Sequence, residues 1–172
     1  PKGTSIRRMT HTWAMGTVRG SFDGKQVAYY AKAPDGTTQL FVIPSDGSDK
    51  AEDPAKRPKQ ATFLPEGTEE GLRWHPSGNT IFSISNGGIV ATCVKPGDHF
   101  GRSVFLTGQA DGPPRIKLTS SQDGTLLAFN KTVPTKDESG KIVKAWTGND
   151  ILQIFTVAFP DENGDGVIDG LD

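Results

Sequence analysis

One cysteine, Cys93, stands in the 172 residues, so no disulfide can form within the chain and cysteine usage fixes no compartment. It lies in the strand-like stretch "IVATCV", where a buried, inert thiol is expected and not a reactive one. No apolar run approaches the roughly 18 residues of a membrane-spanning helix. Charge of one sign is missing too. Lys and Arg total 19 against 20 Asp and Glu, a net charge of -1 that sets up no global field for nucleic acid or acidic membranes. Apolar residues make up only 34% of the chain, and no segment holds a 3.6-residue apolar period long enough for a long helix. There is no GxSxG elbow, no P-loop, no GxGxxG opening a helix and no CxxCH, so the usual nucleophile, phosphate and haem signals are absent. The first residues, "PKGTSIRRMTHTW", carry no initiator Met, apolar segment or cleavage pattern. They read as a chain cut from something longer, or a mature form whose signal is gone.

What is plentiful is Gly (21) and Pro (12), the balance of a turn-rich β-protein, in a length that suits one domain. Three segments align: "RGSFDGKQVAYY" (19–30), "RWHPSGNTIFSI" (73–84) and "TSSQDGTLLAFN" (119–130). Each has a turn ending in Gly (Gly24, Gly78, Gly124), two variable residues and an alternating apolar strand, a hairpin signal because Gly supplies the positive φ of the turn. A third strand follows each hairpin: "QLFVIPSDG" (39–47), "GIVATCVKPG" (88–97) and "LQIFTVAFPDENG" (152–164). A fourth follows twice, as "KQATFL" (59–64) and "SVFLTG" (103–108). The unit is a four-stranded meander, A to D, and repeated meanders imply an all-β propeller. Val27, Tyr29, Leu40, Val42, Ile81, Ile89, Leu127, Phe129, Ile154 and Phe155 are the expected core, with Trp74 on an inner A strand between blades.

"SFDGKQVAYY…TTQLFVIPSDG…KQAT" and "LRWHPSGNTIF" resemble TolB-like, WD40-related propeller repeats, with departures at Phe22, Ser77 and Gln122. The resemblance covers roughly residues 5–160 and implies fold far more than function, because such repeats serve binding modules, scaffolds and enzymes alike. It divides the chain into a D-type strand at 5–12, blades at 13–64 and 65–108, a blade at 109–160 lacking its D strand, and a loop at 161–172. About three blades are fewer than a closed propeller needs, so a larger or multi-chain propeller is expected, completed by the rest of a longer chain or by strand exchange between copies. The expected partner is protein, and neither nucleic acid nor a membrane span.

Propeller ligands gather at the channel mouth, formed by the D–A loops (10–17, 65–71, 108–114) and the B–C loops (31–38, 85–88, 131–150). Candidate contacts there are His11, Trp13, Arg73, Arg115 and Trp146, the last in a loop of about 20 residues. Glu69, Glu70 and Asp111 share these loops. Arg73 and Arg115 would engage ion pairs or an anion in the channel. His75 and His99 are expected to be structural or exposed, and the three histidines show no metal-binding spacing. No catalytic residue is assigned. The enzyme alternative, implied by TolB-like folds that include pectate-degrading lyases, is a polysaccharide lyase or other carbohydrate-active enzyme centred near His11.

The last twelve residues, "DENGDGVIDGLD", place Asp161, Asn163 and Asp165 at alternate positions, then Gly166 where a calcium loop turns sharply. The Val167 carbonyl, Asp169 and Asp172 fall at the remaining ligand positions, so this resembles the calcium loops of dockerin-like proteins. Asp172 is shorter than the usual bidentate Glu, and a strand leads into the loop instead of a helix. Structural calcium is the expected cofactor, and a loop that fills near millimolar calcium implies an extracytoplasmic, periplasmic or secreted setting.

Overall fold

The structure, a computed structural model, describes residues 3–108 and 114–172, and of residues 114–116 the backbone alone. Two four-stranded antiparallel sheets and one of three strands follow one another along the chain. Blade 1 is β1 (Ala14–Gly20), β2 (Gln26–Lys32), β3 (Thr38–Pro44) and β4 (Lys59–Gln60). Blade 2 is β5 (Arg73–Trp74), β6 (Thr80–Ser85), β7 (Gly88–Cys93) and β8 (Ser103–Phe105). Blade 3 is β9 (Pro114–Ser120), β10 (Leu126–Val133) and β13 (Ile151–Ala158), with a small ribbon of β11 (Thr135–Lys136) and β12 (Ile142–Val143) in its B–C loop. A single 3-10 turn at Pro54–Lys56 is the only helical element among the described residues. The chain is an all-β set of propeller blades.

The A–B turns form as their sequences require. In blade 1 the Gly24 amide donates to the Ser21 carbonyl at 3.0 Å, with Gly24 at φ 71°. Asp23 Oδ1 accepts from the Lys25 amide at 3.0 Å and so locks the second half of the turn. Blade 3 repeats this with Ser121, Asp123 and Gly124. In blade 2 the leading Ser is replaced by His75, and the turn still closes, from the Gly78 amide to the His75 carbonyl at 3.0 Å.

All ten expected core residues lie in strands, and Ile154 is the exception in burial, at 81% exposed. It points from β13 to the side of blade 3 away from blade 2, where no neighbouring sheet covers it among the described residues. Blade 2 differs: every residue of β6 and β7 is buried, because sheets flank it on both sides. Ala28, Tyr30, Leu40 and Val42 of blade 1 meet Trp74, Ile81 and Val94 of blade 2 in one cluster. Phe82, Ile84, Ile89 and Ala91 meet Leu118, Leu127 and Phe129 of blade 3 in another.

The fourth strands are shorter than the sequence suggests, and a side chain explains each. Beyond β4 the Thr62 hydroxyl accepts from the Leu40 amide at 2.8 Å, and beyond β8 the Thr107 hydroxyl accepts from the Ile89 amide at 3.0 Å. The threonines take over the ladder bond, so the backbone leaves the sheet early. Residues 5–12 pair with no strand among the described residues. Arg7 donates instead to the carbonyls of Asp46 and Gly47 at 2.8 Å, and Met9 packs on Tyr29, Ala31 and Ile43 on the outer face of blade 1.

Candidate functional site

The inner strands of the three blades are tied directly. The Trp74 indole Nε1 donates to the Arg19 carbonyl at 3.0 Å, and Ser120 Oγ donates to the Trp74 carbonyl at 3.1 Å. Trp74 is 2% exposed, on the inner A strand as expected. Pairing register gives Arg19, Arg73 and Thr119 the same place in successive blades, opposite Ala28, Phe82 and Ala128. Together with Phe22 they line a cavity of about 240 Å³. Arg73 donates to the Leu72 carbonyl at 2.9 Å and Arg19 to the Val18 carbonyl at 3.2 Å. No ion pair engages either arginine among the described residues, so the ion pair expected of Arg73 is not seen there, while the Arg115 side chain lies outside those residues. Burial, then the neighbouring Arg19 charge, pushes the Arg73 pKa down. Two cations held side by side without a carboxylate suit an anion. Arg19 stands five residues before Gly24, as Arg73 does before Gly78, and that shared offset is the signal by which it could have been found.

The other channel candidates do not converge with these. His11 Nδ1 lies 2.7 Å from Asp49 Oδ1 in the β3–β4 loop. Burial works against ionised Asp49, yet the His11 amide and ring and the Thr12 amide hold its pKa down to about 2. Trp13 is half-exposed against Tyr29, Phe41 and Pro58. Trp146 is 98% exposed in the loop between β12 and β13. Glu69 and Glu70 lie beside Met15 and Tyr30, bonded through their backbones to Ile84. The Arg115 side chain and Asp111 lie outside the described residues. His99 is exposed, while His75 is buried, its Nε2 donating to the Gly124 carbonyl at 3.0 Å and its ring edge-on to Phe159. His75 therefore clasps the A–B turn of blade 2 to that of blade 3.

The acidic loop folds back against blades 2 and 3. Asp161 Oδ1 and Asn163 Oδ1 both accept from the Asp165 amide, at 3.1 and 3.0 Å, which draws the two oxygens to one point. Asp161 Oδ2 accepts from the Gly166 amide at 3.0 Å, Asp165 Oδ1 from Val167 at 2.8 Å, and Asp169 Oδ1 from Glu162 at 3.2 Å. Asn163 Nδ2 donates to Asp172 Oδ2 at 2.8 Å. Ser77 and Asn79 of the blade 2 turn fasten the loop through the carbonyls of Gly166 and Asp165. Lys95 was not foreseen: its ammonium lies 2.7 Å from Asp165 Oδ2 and, with the Val167 amide, lowers that carboxyl's pKa. No group of three or more His, Cys, Asp or Glu side chains placed to hold one metal ion occurs among the described residues. The calcium positions also draw on an amide and a backbone carbonyl, which such a grouping leaves out.

No protein-family model matches the chain, and no curated protein sequence matches it significantly. Among solved structures it is similar to TolB from Acinetobacter baumannii, with a TM-score of 0.51 and 18% identity over 87% of this chain. It is similar also to a protein assigned as TolB from Agrobacterium tumefaciens, with a TM-score of 0.51 and 20% identity over 86% of this chain. The fold is that of TolB-type propeller blades. The chain spans 34% and 47% of those two proteins' lengths, so its TolB-type blades correspond to part of each. At these identities the TolB likeness lies in the backbone alone and carries no activity across.

Proposed function

We propose that the chain is a non-catalytic protein-binding and assembly module, whose TolB-type blades take up further strands along the open side of blade 3. The partner is a protein segment, from a continuing chain or a second subunit. One observation carries this reading. β13 is the outer edge of its sheet and pairs only with β10 among the described residues, while Leu152 and Ile154 stand exposed on the uncovered face. A strand edge with free backbone groups beside exposed aliphatic side chains is a template for another strand. Blade 2, with a neighbour on each side, leaves no such face. The test is hydrogen exchange and light scattering on the 172-residue chain. Association that grows with concentration and slows exchange of the β13 amides supports the proposal; a monomer at high concentration with those amides already protected overturns it.

We further propose that the acidic loop is a structural calcium site held by Asp161, Asn163, Asp165, the Val167 carbonyl, Asp169 and Asp172. The convergence of Asp161 and Asn163 on one amide supports it, as does the tie from Asn163 to Asp172. Lys95 opposes it, since its charge already balances Asp165. An extracytoplasmic location follows from the same proposal, because such a loop fills where calcium is near millimolar. No helix among the described residues is long and apolar enough to cross a membrane.

A further inference from the structure

Each space between consecutive blades is roofed by the segment that follows the C strand of the later blade. Register makes Val42 and Pro44 of blade 1 the counterparts of Ala91 and Cys93 of blade 2, since Pro44 and Cys93 sit opposite Gln26 and Thr80, two residues past their turn glycines. Val94 and Phe159 correspond in the same way, each following the last residue of its C strand. Between blades 2 and 3 the roof is the acidic loop. It sets Val167, Ile168 and Leu171 into the cluster of Ala91, Cys93 and Phe159, while Asp165 meets Lys95 at 2.7 Å.

Between blades 1 and 2 the roof is shorter and supplies Phe100 alone. A cavity of about 440 Å³ remains there, within the range of ligand-binding pockets, floored by Val42, Val94 and Phe100. Lys25, Arg57 and Lys59 stand at its rim, and no acidic side chain lines it. Arg57 donates to the Ala51 carbonyl at 2.7 Å, neither Arg57 nor Lys59 forms an ion pair among the described residues, and Lys25 lies 3.5 Å from Asp23 at the exposed turn.

We propose that this groove binds an acidic peptide segment carrying two or three aliphatic side chains. The aliphatic groups would cover Val42, Val94 and Phe100, and the carboxylates would meet Lys25, Arg57 and Lys59. Two observations choose a peptide over a small amphiphile. The charged side chains that line the groove are all cationic, and the chain itself fills the corresponding groove with a segment of the complementary chemistry, three aliphatic side chains within five residues beside an acid. Both walls belong to this chain, so the site is independent of the open side of blade 3.

The probe is the acetylated peptide GDGVIDGLD, titrated into the full chain by calorimetry, with its Asp-to-Lys counterpart as control. Binding in the submillimolar range by the acidic peptide alone is expected. The double variant Lys25→Glu with Lys59→Glu should weaken it about tenfold or more. Ala55→Trp, which fills the groove from an exposed position without changing charge, should abolish it. Circular dichroism checks that both variants stay folded. No heat with the peptide, equal binding by the Lys counterpart, or loss on Lys95→Glu but not on the groove variants would overturn the proposal. Binding of dodecanoate in place of the peptide would overturn it as well.

Discussion

Trp74 and Arg19, 55 residues apart, are joined by a hydrogen bond of 3.0 Å from the indole nitrogen to the backbone carbonyl. The bond crosses from blade 2 to blade 1 at their inner strands, where the indole is also buried among Tyr30, Leu72 and Ile81. Trp74→Ala should therefore cost about 3–5 kcal/mol in urea denaturation. Trp74→Phe keeps much of the volume but strands the Arg19 carbonyl, costing about 1–3 kcal/mol. A loss below about 1 kcal/mol for the alanine variant would mean that the indole does not bridge the blades.

For the acidic loop, added calcium should raise the melting temperature through binding to the folded state. Asp161→Ala with Asp165→Ala should remove that rise. Lys95→Ala should enlarge it, because the competing ammonium is gone. Magnesium should do less, since it demands tighter octahedral geometry and keeps its waters. Melting curves unchanged by millimolar calcium in both the natural chain and Lys95→Ala would leave the loop an ordinary fastening.

On the open side of blade 3, Ile154→Glu should suppress self-association with little loss of monomer stability, within about 0.5 kcal/mol, because the side chain is largely exposed. Phe155→Ala, one residue along, should destabilise by about 3 kcal/mol, since its ring stacks on Phe129 and carries Lys131 4.5 Å from its centre. Sedimentation separates the two outcomes.

Asp49 predicts an acid response. Its folded pKa lies near 2, below the ordinary 3.8, so its hold on residues 11–12 is complete above about pH 4 and fades as pH falls through 2. Trp13 fluorescence in a Trp146→Phe background should report this release. Asp49→Asn should abolish the titration, and an unchanged titration would place the acid response elsewhere.

The fold was legible because its signal is local. Gly24, Gly78 and Gly124 each close a turn of four residues, and the turn sets the register of the strands it joins. What escaped was set by residues far apart. Lys95 meets Asp165 across 70 residues, and His75 meets the Gly124 carbonyl across 49. Apolar character alone also cannot give direction. Ile154 and Phe155 look alike in sequence, yet the pleat sends one to a neighbouring blade and the other to solvent. Residues 5–12 have the composition of a strand, but a strand needs a partner, and Arg7 and Met9 found turn carbonyls and a sheet face instead.

Blade 2, buried on both flanks, also decides where this chain can vary. A substitution in Thr80–Ser85 or Gly88–Cys93 disturbs a packed interface whichever way the side chain points. Alternate positions of Ile151–Ala158 are exposed instead. Blades contact only adjacent blades, so damage to blade 2 loosens two interfaces among the described residues at once. For folding, codons 80–93 should accordingly be the most constrained stretch, while the even-numbered positions of 152–158 should answer to whatever the open side of blade 3 takes up and not to the fold of this chain.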